Sequence, residues 1–335
     1  MYNTSHRPKL VGGIIAIVVS LLLVFAGGWL FLNRQFVRDQ LSVWSYEPSA
    51  QIAEINDRAS FTDEGTFHFY ATHPEIASAE VFNQDCPRQE PNSPILGCYA
   101  SGRIYIYDVT NEQLNGIEEV TAAHEMLHAV WERTSEEEKA RLTVLLEAAY
   151  DRNKSAELEE RMAYYDRNQP GEVVNELHSI LPTEVADIGD ELEAYYQKYF
   201  TDRQAVVAMH QGYSGVFKDL VSRADALYAE LQTTGAQIEQ ASTAYDQSVA
   251  QLTADIESFN ARAASGGFSS MAQFNAERAE LVARSTQLEN DRSALEQQVA
   301  AYNQKYDEYQ QIGSQIEALN RSIDSIAGPQ EAPSL

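Results

Sequence analysis

The sequence predicts an α+β protein. A small β-sheet joins a mainly helical domain, with an N-terminal transmembrane helix before them and a long antiparallel coiled-coil hairpin after them. Three observations carry this. Residues 10–32 (LVGGIIAIVVSLLLVFAGGWLFL) form an uncharged, largely aliphatic run long enough to cross a bilayer. Two short aromatic segments, TFHFYA at 66–71 and RIYIYDV at 103–109, have the composition and alternation of strands. From 206 to 327, apolar residues recur at steps of three, four and seven.

The elements follow in order. Residues 1–9 form a short tail and 10–32 an anchor. Val24-Phe25-Ala26 is a weak cleavage site, and apolar sequence continues beyond it through Trp29, Leu30, Phe31 and Leu32, so the anchor is expected to stay uncleaved. Arg7, Lys9 and the terminal amine precede it, and Arg34 and Arg38 follow. The balance leans towards a cytoplasmic N-terminus with the body on the extracytoplasmic side. Cys86 and Cys98 agree: they flank a Pro-rich polar segment and would pair into a short-loop disulfide outside the cytoplasm.

Residues 33–60 are expected to be a stalk. It holds a short helix opened by Pro48 and Ser49, with Ile52 and Ile55 on one face. A compact domain is expected over 61–205. Thr62-Asp63-Glu64-Gly65 has turn composition before the first strand, and a short helix is expected over 74–82. Asn115-Gly116 turns the chain into a helix over 117–131. Thr134 and Glu137 match a capping box for a helix to 150, with Leu142, Leu145, Leu146 and Ala149 as its apolar stripe. Further helices are expected over 156–165, from Pro170 to just before Pro182, and from a Thr183 cap to about 200. Tyr195, Tyr196, Tyr199 and Phe200 are expected in the core.

The hairpin (206–327) has one apolar series through Leu220, Leu231, Ile238, Leu252 and Phe259. A second runs through Leu281, Leu288, Leu295, Tyr302 and Ile316. Ser265-Gly266-Gly267 breaks the helix between them, so two arms fold back on each other. Residues 328–335 form a disordered tail. The hairpin offers a surface for a protein partner or for self-association.

Composition narrows function. Fifty Asp and Glu stand against 24 Lys and Arg, a formal net charge of −26, and such a surface repels nucleic-acid phosphates. The hydrophobic fraction of 44% is enough for a packed core.

The chemistry concentrates at His124-Glu125-Met126-Leu127-His128. Residues four apart share a helix face, so both imidazoles can address one metal ion, with Glu125 beside them to take a proton from water. His68, His73 and His210 have no such spacing. Catalytic zinc takes three protein ligands, so a third must come from elsewhere. The segment PGEVVNELHSIL (170–181) supplies two candidates. Glu176 and His178 sit on opposite margins of its apolar face, and residues two apart cannot both reach one ion from a regular helix. Glu176 is preferred.

This arrangement resembles the gluzincin metallopeptidases. They carry a His-Glu-x-x-His helix and a downstream glutamate ligand on a second helix, often preceded by Asn, as in Asn175-Glu176. The resemblance covers roughly residues 60–200 and does not extend to the anchor or the hairpin. It implies a zincin-like domain binding one Zn2+ through His124, His128 and Glu176. It further implies water activated at the metal, Glu125 as general base and a peptide or protein substrate. An oxyanion donor would be Tyr164, Tyr165 or His178. The RIYIYDV strand fits the edge strand along which such enzymes align substrate. The alternative is an envelope coiled-coil scaffold or adaptor with a structural or inactive zinc domain.

Overall fold

The computed structural model describes residues 7–87 and 95–325, with side chains from Ile15 onward. The 328–335 tail, the end of the hairpin beyond 325 and the middle of the Pro-rich segment lie outside the described residues. The chain divides into two compact units, residues 1–216 with 320–335, and residues 217–319.

The first unit opens with α1 (Arg7–Leu32). Its segment Ile15–Leu32 has mean hydropathy 2.6 and is long and apolar enough to cross a membrane. The stalk expected over 33–60 is instead part of the packed body. It forms α2 (Arg34–Ser45) and α3 (Ala50–Arg58), the latter capped by Ser49 through the Ile52 N–H. Ile52 and Ile55 lie in the main core beside Phe69, Leu127 and Tyr196. The apolar pair on α3 is core because it has a body to pack on, which local periodicity cannot reveal.

The strand expected at 66–71 is helix α4 (Asp63–Ala71). Its supposed turn is an N-terminal cap: the Gly65 N–H donates to Thr62 Oγ1 at 3.1 Å, and Asp63 and Glu64 oppose the helix dipole. Gly65 is required there, because a Cβ would collide with the Tyr199 carbonyl. The helix expected over 74–82 divides. Glu75–Ala77 is strand β1, and α5 (Ala79–Asp85) begins after Ser78.

Strands β2 (Gly97–Ala100) and β3 (Arg103–Tyr107) complete a three-stranded sheet in the order β1-β3-β2. β1 runs parallel to β3, and β2 pairs antiparallel with it through Cys98↔Tyr105 and Tyr99↔Ile104. RIYIYDV is therefore the central strand and not the edge. Ile104 and Ile106 are buried on one face and Tyr105 on the other, as a central strand covered on both sides requires. The edge beside the helical layer is β2. The Cys86–Cys98 disulfide fastens β2 to the end of α5.

Five helices among the described residues form the rest of the body before the long arms. α6 (Ile117–Arg133) starts at Gly116, whose φ of 96° and close approach to Met209 both demand glycine. α7 (Glu136–Arg152) is capped by Ser135, which accepts from the Glu138 N–H at 3.3 Å. The expected Thr134 cap instead donates back to the Val130 carbonyl and closes α6. α8 spans Ala156–Asn168.

α9 (Val173–Glu184) begins later than Pro170 and runs through Pro182. A proline there cannot donate to the His178 carbonyl. The Tyr196 hydroxyl does so instead, at 2.8 Å, and buried Arg203 caps the carbonyls of Pro182, Val185 and Ala186. Thr183 is inside the helix and donates to the Ser179 carbonyl. The next helix, α10 (Asp190–Tyr196), is shorter than expected and starts after Gly189.

α11 (Arg203–Ala264) and α12 (Met271–Ile323) are the two arms. The first turns of α11 belong to the body, where Val206 is core, so the second unit begins at 217 and not at 206. Within that unit the arms are antiparallel. Tyr228 meets Tyr309, Glu230 meets Lys305, Asp255 meets Arg284 and Arg262 meets Glu277. Ser265-Gly266-Gly267 breaks the helix as expected, with Gly266 at φ 70°, and Phe259, Phe268 and Phe274 pack together beside it.

Candidate metal centre

α6 buries Val120, Ala123, Leu127 and Val130, together with Met126, against the core. That docking turns the margin carrying His124 and His128 towards α9. The two Nε2 atoms stand 3.1 Å apart. Glu176 on α9 faces them, with Oε2 at 3.6 Å from His124 Nε2 and Oε1 at 3.7 Å from His128 Nε2. The three ligand atoms lie within 4.8 Å of one another, a separation one small cation can bridge.

Two further features fit a cation here. Glu176 Oε2 is buried without a hydrogen-bond partner, an unusual state for a carboxylate oxygen. Burial pushes the Glu176 carboxyl up, but His124 and His128 outweigh it and hold the group below its ordinary range. Two imidazoles and one carboxylate form the donor set of catalytic zinc, while magnesium and calcium prefer oxygen alone.

His178 goes elsewhere. It is fully buried on the other side of α9, where its Nε2 meets the Tyr195 hydroxyl at 3.0 Å and its ring packs on Trp131 at 5.0 Å. Burial pushes it down to about 3, so it stays neutral. Of the two candidate third ligands, the structure brings only Glu176 to the His pair.

Glu125 points into the space between α6 and β2. Burial pushes its carboxyl up to about 7; the Glu176 charge adds to this, while His128 and the Tyr99 backbone oppose it. β2 comes close because Gly97 has no side chain: a Cβ there would lie 2.9 Å from Glu125 Oε1 and 2.5 Å from Thr121 Cγ2. Of the three candidate oxyanion donors, Tyr165 is the one whose hydroxyl lies against the Glu176 carboxylate. Its hydroxyl is held neutral by burial and by the Glu176 and Glu125 carboxylates. Tyr164 packs edge-on against Tyr165, and His178 is engaged with Tyr195.

Several contributors escape a linear reading. Asn175 Oδ1 stands 3.0 Å from His128 Nδ1, and Ser179 Oγ is 3.3 Å from the same nitrogen. The Asn175 amide donates to Glu172 Oε2 at 2.9 Å, which fixes its orientation and leaves Oδ1 to accept the His128 Nδ1 proton. The Nε2 lone pair then faces the cluster. A signal did exist, since Asn175 and Ser179 are four apart and share one face of α9. Gly97 and β2 gave none.

Arg133, at the end of α6, forks onto Asp39 of α2 with two 2.8 Å bonds and donates to the Tyr99 hydroxyl of β2 at 3.2 Å. One buried guanidinium thus joins the site helix, the edge strand and the helix that follows α1.

Comparison of the chain with protein-family models, with curated proteins and with solved structures finds no match.

Proposed function

We propose that this protein is a membrane-anchored zinc metallopeptidase with its body on the extracytoplasmic side. The observation that carries the reading is the convergence of His124, His128 and Glu176 from two helices, with Glu125 buried beside them. His124, His128 and Glu176 would hold the ion, and when bound it supplies Lewis-acid activation of water and of the scissile carbonyl.

The chain's own groups carry the rest. Glu125, raised by burial into the neutral range, takes the proton of the attacking water and delivers it to the leaving amine. The Tyr165 hydroxyl, beside Glu176, is the group we assign to donate to the developing oxyanion. Asn175 holds the His128 tautomer. The edge of β2, which begins at Gly97 and pairs with no further strand among the described residues, offers backbone groups to an extended peptide next to Glu125. α1 supplies the anchor, and the disulfide suits an oxidising compartment.

Glu125→Gln tests the reading. The isostere keeps volume and metal ligands but cannot accept the proton. Cleavage of an unfolded protein substrate should fall by about 100-fold or more with metal content unchanged. Retained cleavage contradicts the mechanism.

A further inference from the structure

The segment between α1 and the body is a rigid mount. Helical hydrogen bonds cross the joint, from Asn33 N–H to Trp29 O at 2.9 Å and from Val37 N–H to Asn33 O at 3.0 Å. The Asn33 side-chain amide donates to the same Trp29 carbonyl at 2.8 Å. α2 is then stitched to the body along its length. Asp39 is forked by Arg133, with both side chains buried. The Ser42 hydroxyl donates to Ala71 O at 2.7 Å, the Ser42 carbonyl meets His73 Nε2 at 3.0 Å, and the Tyr46 hydroxyl donates to Pro74 O at 2.7 Å. A mobile tether has none of these.

The mount fixes distance. Asp39 is seven residues past Leu32, about 10 Å of helix rise, and His128 is five residues before Arg133, about 8 Å. With a helix-to-helix separation of about 8–10 Å, the ligand cluster stands no more than about 30 Å from the end of the apolar span. The outer face of α2 agrees with a bilayer close by. Leu41 and Trp44 are exposed on it together with Arg34 and Arg38, and its one acid, Asp39, is turned inward to Arg133. Exposed aromatic and basic groups are what a headgroup layer accepts.

We propose that the α2 mount holds the metal centre at a fixed height beside the bilayer, so that its substrates are membrane-tethered polypeptides cut close to where they leave the lipid. The substrate class rests on the anchored-peptidase reading above; the height rests only on α1 spanning the bilayer. An extended chain reaches about 30 Å in roughly ten residues. Segments displayed much farther out are beyond a site that cannot swing.

The test has two arms, both on the full chain in lipid nanodiscs. The first reads height without activity. In a Trp29→Phe/Trp44→Phe variant, Trp131 on α6 is the sole indole. Its energy transfer to dansyl-labelled headgroups should be strong, and should fall at least fivefold when a forty-residue helical spacer, about 60 Å long, is inserted between Leu32 and Asn33. Weak transfer without the spacer, or transfer the spacer leaves unchanged, overturns the proposal. The second arm gives the protein a disordered casein segment fused behind a transmembrane helix, directly or after the same spacer, and maps cuts by mass spectrometry. Cuts in the direct reporter should cluster within about fifteen residues of the bilayer. The distant reporter should be cut at least tenfold more slowly, and the spacer-bearing enzyme should lose that preference. Equal cutting of both reporters by the unmodified enzyme overturns the proposal. Strong transfer with neither reporter cut rejects the peptidase reading and its substrate class, and leaves the height established.

Discussion

His128 and Asn175 sit on different helices, and their side chains meet at 3.0 Å between Nδ1 and Oδ1. The contact joins the two halves of the candidate metal centre from behind, since Asn175 is the chain neighbour of Glu176. Removing it should loosen the imidazole without touching a ligand. Asn175→Ala is expected to weaken zinc affinity by about 10–100-fold while the thermal transition hardly moves. Competition with a chromogenic chelator measures the affinity, and an unchanged constant would remove Asn175 from the site.

Asp39 and Arg133 form a buried, bidentate pair between α2 and α6. Losing one partner strands a buried charge. Asp39→Ala should therefore destabilise the body by about 3–5 kcal/mol, read as a shift in denaturant midpoint at constant slope. A change below about 1 kcal/mol would show that α2 is not docked.

The disulfide anchors the strand that covers Glu125. Its loop, with a sequence separation of 12, predicts a loss of about 3 kcal/mol in a Cys86→Ser/Cys98→Ser variant. Because Gly97 adjoins Cys98, that variant should also lose kcat more than it raises KM. Wild-type kcat in that variant would separate β2 from the chemistry.

His68 gives a pH signature away from the metal centre. Burial pushes it down to about 4; the Arg133 charge adds to this and Asp39 opposes it, while the ring packs edge-on against Phe67 and Tyr199. Its Nδ1 has no hydrogen-bond partner. The unfolded chain binds the proton near pH 6.5 and the folded one only near 4, so stability contributed above 6.5 is lost as pH falls through that window. The full effect is about 3 kcal/mol, and about 2–3 kcal/mol of it falls between pH 7.5 and 4.5. Unfolding of wild type and His68→Gln at pH 7.5 and 4.5 measures it: the variant should show a smaller drop, and equal drops would contradict the assignment.

What was legible in the sequence follows from how local each signal is. Helical periodicity over long stretches placed α6, α7 and both arms, and the Gly116 and Gly266 turns fell where glycine was needed. The His pair and Glu176 were readable because four-residue spacing and face margins are helix geometry. Errors came where tertiary partners decide. Phe67 and Phe69 have strand composition, but a Thr62 cap and a core socket make them helical. Pro182 should have stopped α9, and a tyrosine from α10 rescued it. Ile52 and Ile55 looked like a small stalk helix until the body they pack against was in view. β2, four residues long with one glycine at the site, left no pattern to find.

His124, His128 and Glu176 are proposed to bind one zinc ion. The most direct test is zinc per molecule in purified, folded protein supplied with the metal, comparing wild type with Glu176→Ala. One equivalent in wild type, largely lost in the variant while the fold is retained, is the predicted result. Wild-type protein that stays folded and binds no zinc would contradict the account at its root.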